Sequence, residues 1–189
     1  MENTLKMSNS PKPFCFNRSK VKAFVLGCDP TNESNKGKRV EIEFSFGIGK
    51  DARYFRQIMD NLNLIGLHLE DLFIQNLIVD YQEKDTTKNK SWKQDASRYI
   101  EERILEFKQV DPYRKLPVFL TSQVLYDVLL NDGEDHYTST NLYNLHSIIP
   151  IPSDKNKLGW PLFPLYRHNR YKLLNWPEYL SKLKGANKN

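Results

Sequence analysis

Asp29, Asn76 and His168 are the residues of this 189-residue chain whose type and setting could do chemistry. Asp29 stands in Gly27-Cys28-Asp29-Pro30-Thr31, directly after the apolar run Val21-Lys22-Ala23-Phe24-Val25-Leu26. A carboxylate at the end of a buried strand can face a cleft and orient a water as general base. Asp before Pro is also a common turn former, so turn chemistry alone would explain it. Asn76 is an amide inside the apolar run from Leu72 to Val79, beside a second amide, Gln75. A buried amide must find partners or cost a few kcal/mol. Its paired donor and acceptor suit the edge of a pyrimidine ring, and a bridge to a neighbouring loop would satisfy it equally. His168 lies among cations in Tyr166-Arg167-His168-Asn169-Arg170. Those cations disfavour its protonated form, so a neutral imidazole that donates a hydrogen bond is one reading and a plain surface histidine the other.

Phe44 and Phe46 follow the first loop, and either ring could stack on a flat base entering a cleft there, although aromatic rings more often serve the core. His146 competes with His168 for the same role, while His68 and His136 sit in segments that suggest none. The four histidines and two cysteines show no metal-ligand spacing, and no metal or cofactor is expected. A phosphate-cradling glycine loop and a Gly-x-Ser-x-Gly elbow are both missing. Cys15 and Cys28 are too few for a disulfide framework or an iron–sulfur cluster.

The elements that must position these residues are readable from periodicity. Short apolar runs at 21–26, 72–79 and 116–120 predict buried strands, each bounded by turn residues. Two proline-interrupted stretches, 147–151 and 162–166, both resemble strands, and either could join the sheet. Three- and four-residue spacing of Tyr54, Phe55, Ile58, Met59 and Leu62 predicts a helix over 51–64. Ser91-Trp92-Lys93-Gln94 fits a capping box for a second helix that runs until Asp111-Pro112. Thr121 or Ser122 would cap a third, with Val124, Leu125, Val128 and Leu129 inward, and Pro177 opens a last one. Strands alternating with helices predict an α/β fold, a three-layer α/β/α sandwich on a short central parallel sheet. In such sheets ligands sit beyond the carboxyl ends of the strands, which proposes one site for Asp29, Asn76 and the loop around His168.

Hydrophobic residues at 39% and charged residues at 27% describe a chain that can fill a core. We expect residues 1–13 to form a flexible arm, 14–184 a single domain and 185–189 a frayed tail. No apolar stretch approaches the roughly 20 residues of a membrane helix, and Met1 to Pro13 lacks the apolar centre of a secretion signal. A cytoplasmic, monomeric protein without membrane contact is the expectation. The net charge of +5 is uneven: residues 155–189 hold eight basic residues against Glu178, and the rest of the chain is −2. A +7 segment that also carries Trp160, Phe163, Tyr166, Tyr171 and Trp176 would suit a polyanion with flat bases, and equally a solvated face over core aromatics.

The order of these signals resembles the uracil-DNA glycosylase superfamily over roughly Val21 to Lys172. In that family a Gly-Gln-Asp-Pro-Tyr-His loop follows the first strand, and Gly27-Cys28-Asp29-Pro30-Thr31 is similar to it. A stacking Phe before Ser comes next, matched by Phe44-Ser45, with Phe46 as the other available ring. Asn76 corresponds to the uracil-reading Asn, and Arg167-His168-Asn169-Arg170 to the last, DNA-inserting loop. Thr31 stands where the family has its thymine-blocking tyrosine, and Asn169 replaces the proline after the histidine.

The resemblance implies a uracil-DNA glycosylase-like fold and hydrolysis of the N-glycosidic bond of a flipped-out damaged base, uracil or a relative, in DNA repair. Asp29 and His168 would be catalytic. Phe44, Asn76, Gly27 and Cys28 would bind the base, and Arg167, Asn169, Arg170, Tyr171 and Lys172 would hold the DNA. Two other functions fit the same residues: a nucleic-acid-binding protein without turnover on this fold, and a hydrolase of free nucleosides or nucleotides built around Asp29.

Overall fold

Ala23–Gly27 (β2) is buried at all five positions, so both faces of this strand are covered. In the computed structural model, which describes residues 9–30, 41–50, 53–82, 84 and 86–186, β2 lies at the centre of a five-stranded sheet. The order is β1-β3-β2-β4-β5, with β1 at Phe14–Cys15, β3 at Leu72–Asn76, β4 at Val118–Leu120 and β5 at Leu162–Pro164. β3, β2, β4 and β5 run parallel, as the strand–helix alternation predicts. The sheet as a whole is mixed, because β1 adds antiparallel to β3. A two-residue strand carries no readable periodicity, which is why the sequence suggests only parallel pairing.

Of the two proline-interrupted stretches, 162–164 takes the sheet edge and Ile151 adds only a single antiparallel bridge to Leu162. Pro164 is tolerated there because alternate N–H groups point to opposite sides of a strand. The N–H of Leu165 reaches Leu120 O at 2.7 Å, so the position before it faces away from β4.

Among the described residues six α-helices accompany the sheet: α1 Arg53–Leu64, α2 Trp92–Ser97, α3 Ile100–Lys108, α4 Gln123–Leu129, α5 Ser139–Asn144 and α6 Pro177–Ala186. The helix expected from 91 to 111 is two helices, since Arg98 N and Tyr99 N bond back three residues to Asp95 and Ala96 and tighten the chain between them. The Ser91 capping box does not form; its hydroxyl bonds Asn89 and Asp95 instead. Neither Thr121 nor Ser122 caps α4 with its side chain. Thr121 Oγ1 donates to Leu26 O at 3.0 Å and Ser122 Oγ meets Cys28 Sγ at 2.9 Å, so both hydroxyls tie the end of β4 to β2. α5, which the pattern of apolar residues does not announce, is capped by Thr138.

The core divides by side-chain alternation. Phe24 and Phe73 are register partners on one face, where Phe107 of α3 stacks on Phe24 at 4.1 Å and Trp160 packs edge-on. Gly27 and Asn76, also register partners, point to the other face. The chain is tied into the fold before residue 14, because Lys12 N bonds Glu43 O and Ser45 N bonds Lys12 O. Among the described residues no helix is long and apolar enough to cross a membrane.

Candidate functional site

The parallel register sets the first geometry. Gly27 and Asn76 end adjacent strands side by side, and the ladder continues one step further, with Leu77 N on Gly27 O and Ile78 N on Cys28 O. The carbonyls of Gly27 and Cys28 are thereby engaged. A Cβ at Gly27 would collide with Asn76 Oδ1 and with the Phe46 ring, whose Cζ would lie 2.5 Å away. Glycine is required at this position for close approach. Asn76 is 3% exposed, and no hydrogen bond to its side-chain amide is made among the described residues. Its amide therefore keeps a donor and an acceptor available at the strand end.

Phe46, rather than Phe44, is the ring at this point. It sits at φ 61°, ψ 10°, a left-handed conformation that costs a bulky residue about 1–2 kcal/mol. Its ring packs at 5.2 Å from Phe55 of α1. Phe44 lies half-buried against Phe14 at 5.5 Å, and its backbone bridges Lys12.

Asp29 follows β2 by two residues, and its Oδ2 accepts hydrogen bonds from Thr86 Oγ1 at 2.6 Å and Trp92 Nε1 at 2.8 Å. Trp92 is fully buried, so its N–H fixes the carboxylate from a rigid base. The sequence offers no signal for either partner. Trp92 sits 63 positions from Asp29 and reads as a core residue of a helix start. Thr31 and the rest of 31–40 lie outside the described residues, as do Met1–Ser8, Asp51 and 187–189.

Cys28 lies between these groups at the point where strand order reverses from β3 to β4, the position at which open α/β sheets form a crevice. Burial pushes its thiol up to about 12; the Ser122 hydroxyl and the nearby Arg167 pull in the other direction, while Asp29 adds to the rise. That rise favours the thiol form of Cys28, whose Sγ lies 2.9 Å from Ser122 Oγ.

Arg167, His168, Asn169, Arg170 and Lys172 are exposed on the loop after β5. Arg167 N bonds Thr121 O at 3.2 Å, which brings the loop to the end of β4. His168 accepts from the Arg170 N–H at Nδ1, 3.2 Å, which leaves Nε2 as the ring nitrogen free to donate. Its carbonyl accepts from Gln57 of α1 at 2.9 Å, and none of its hydrogen bonds reaches Asp29 or Asn76. Tyr171 is half-buried among Tyr143, Tyr166 and Trp176, so it braces the loop from beneath. The structure thus gathers Gly27, Cys28, Asp29, Asn76 and Phe46 at one strand end. It sets Arg167 close by, leaves His168 on the rim, and puts Phe44 away from Asn76. The His146 side chain lies outside the described residues. Among the described residues no three His, Cys, Asp or Glu side chains group as a metal ion would need.

Fold and site together define an α/β protein with polar side chains gathered at the carboxyl ends of β2 and β3. No family model matches the chain, and no curated protein matches it.

Proposed function

We propose that this protein is a DNA glycosylase of the uracil-DNA glycosylase superfamily, a cytoplasmic monomer on the α/β/α fold of that family, and that it hydrolyses the bond between deoxyribose and a flipped-out uracil or related base. The observation that carries this reading is the Asn76 side chain, which packs beside Gly27 and the Phe46 ring and whose amide makes no hydrogen bond among the described residues. A flat pyrimidine stacked on Phe46 would present its donor and acceptor to that amide. Stretching the glycosidic bond moves its electron pair to the base and leaves an oxocarbenium-like sugar. Asp29, held by Thr86 and Trp92, would orient a water toward the sugar carbon, and the Nε2–H of His168 would donate to the departing oxygen. His168 must travel from the rim for this, as a loop closing over DNA would bring about. Arg167, Asn169, Arg170 and Lys172 supply contacts for phosphates.

A second reading, nucleic-acid binding without turnover, is favoured by one feature: Asp29 Oδ2 already accepts two hydrogen bonds. Incubation with duplex and single-stranded oligonucleotides carrying uracil, hypoxanthine or a T·G mismatch, followed by alkali, separates the two. The glycosylase reading expects strand cutting that disappears in Asp29→Asn. Salt-sensitive binding with no cutting by the wild type would replace it with the binding module.

A further inference from the structure

Gln75 precedes Asn76 on β3, so its side chain leaves toward the opposite face, the side of α3. It is buried, and two hydrogen bonds converge on its amide oxygen. Gln75 Oε1 accepts from Ser45 Oγ at 2.6 Å and from Asn76 N at 2.8 Å, while its NH2 end lies near the Glu106 carboxylate and favours its charged form against the rise that burial causes. The orientation of the amide is fixed chemically, since the Asn76 N–H can only donate and a carboxylate can only accept. Glu106 is in turn ion-paired at 2.8 Å with Arg103, which is itself buried. A chain of polar contacts therefore runs from α3 through β3 to the turn that carries Phe46.

Two strained or open points end on this chain. The ladder N–H of Leu77 goes to β2, so that of Asn76 faces the β1 side, where β1 has already ended after pairing Ile74 and Phe73. Gln75 supplies the missing acceptor. At the other end, Ser45 is fully buried and is the residue before Phe46, whose φ of 61° persists only if its neighbours hold it.

We propose that Gln75 is a positioning residue: by clamping Ser45 and the Asn76 backbone through one amide oxygen, it sets the Phe46 ring against the Asn76 amide and so fixes the slot for a flat base. The proposal rests on the glycosylase reading for the identity of that base, but the clamp itself is a statement about the ring.

The experiment therefore reads both. With 4-fluorophenylalanine incorporated at Phe46, Gln75→Leu and Ser45→Ala should shift and broaden the single fluorine resonance at a temperature well below unfolding. The double variant Gln75→Glu with Glu106→Gln keeps an acceptor for Ser45 and Asn76 N and a donor–acceptor pair toward α3, and it should return the resonance to the wild-type position. Against uracil-containing oligonucleotides, Gln75→Leu should lower kcat/KM at least about tenfold and the double variant should recover most of it, a rescue that loss of stability alone would not give. A resonance unmoved in Gln75→Leu and in Ser45→Ala overturns the clamp. A wild type that releases no base while the resonance still moves takes down the glycosylase reading and leaves the clamp standing.

Discussion

At Asp29 the chemistry of one carboxylate is decided by an indole from another part of the chain. Trp92→Phe keeps most of the buried ring and deletes only the N–H that meets Asp29 Oδ2. A hydrogen bond to a charged group contributes about 1.5–3 kcal/mol. If the carboxylate works on water, base release should fall about tenfold or more, while the melting temperature moves by only a few degrees. Single-turnover rates beside a thermal melt make the comparison, and an unchanged rate would mean that Asp29 is not at work. Residue types alone mark Asp29 and Asn76, because each interrupts a pattern: a carboxylate ending an apolar run, an amide within one. They do not choose between Phe44 and Phe46. That choice depends on a left-handed turn at a phenylalanine, which no propensity suggests, and on Ser45 being pinned to Gln75 from a neighbouring strand.

Elements are legible where their pattern is long or continuous. β2, β3 and β4 read as strands since they are apolar on both faces, and α1 and α6 read as helices from one buried stripe. β1, two residues long, and the break between α2 and α3 are not legible, because both depend on more than a local pattern: β1 on Phe73 and Ile74, the break on nearby carbonyls and on Tyr99, whose hydroxyl donates to Asp80 at 2.6 Å. The entry to the two central strands carries a pH dependence. Lys22 Nζ pairs with Asp71 at 2.7 Å, just before β2 and β3 begin. Burial by itself would raise the Asp71 carboxyl, but the Lys22 ammonium and the His68 N–H outweigh it and hold the group below its usual value. A lowered folded pKa gives stability that is present above the unfolded value of about 3.9 and lost as pH falls through the folded one. Lys22 is 64% exposed, so the pair is worth under about 1 kcal/mol. Urea melts should therefore show Lys22→Met losing less stability than wild type between about pH 5 and pH 3, with the two curves parallel if the pair contributes nothing.

For the whole molecule, the +7 segment divides into charges that are spent and charges that are offered. Lys155 pairs with Glu134 at 2.9 Å and Lys157 with Asp132 at 3.1 Å, whereas Arg170 and Lys172 stand exposed on the loop after β5. Every phosphate that a side chain ceases to neutralise should reduce the slope of log affinity against log salt by about 0.7–0.9. If the protein binds DNA as proposed, Arg170→Ala with Lys172→Ala should flatten the salt dependence of that binding by roughly twice that, and Lys155→Ala with Lys157→Ala should leave the slope unchanged. Equal effects from both pairs would mean that the charge acts as a diffuse field and not through the loop.

The contact between Cys28 and Ser122 also gives the protein a built-in clock. Burial pushes the Cys28 thiol up to about 12 and the Ser122 hydroxyl sits 2.9 Å from its sulfur, so alkylation of Cys28 is slow unless the ends of β2 and β4 part. Cys15, on the edge strand, is partly buried as well and its thiol is also pushed up by burial, so it has to be removed from the measurement. In a Cys15→Ser background the labelling rate counts openings of the crevice, and whatever settles between Asn76 and Phe46 should make that count fall.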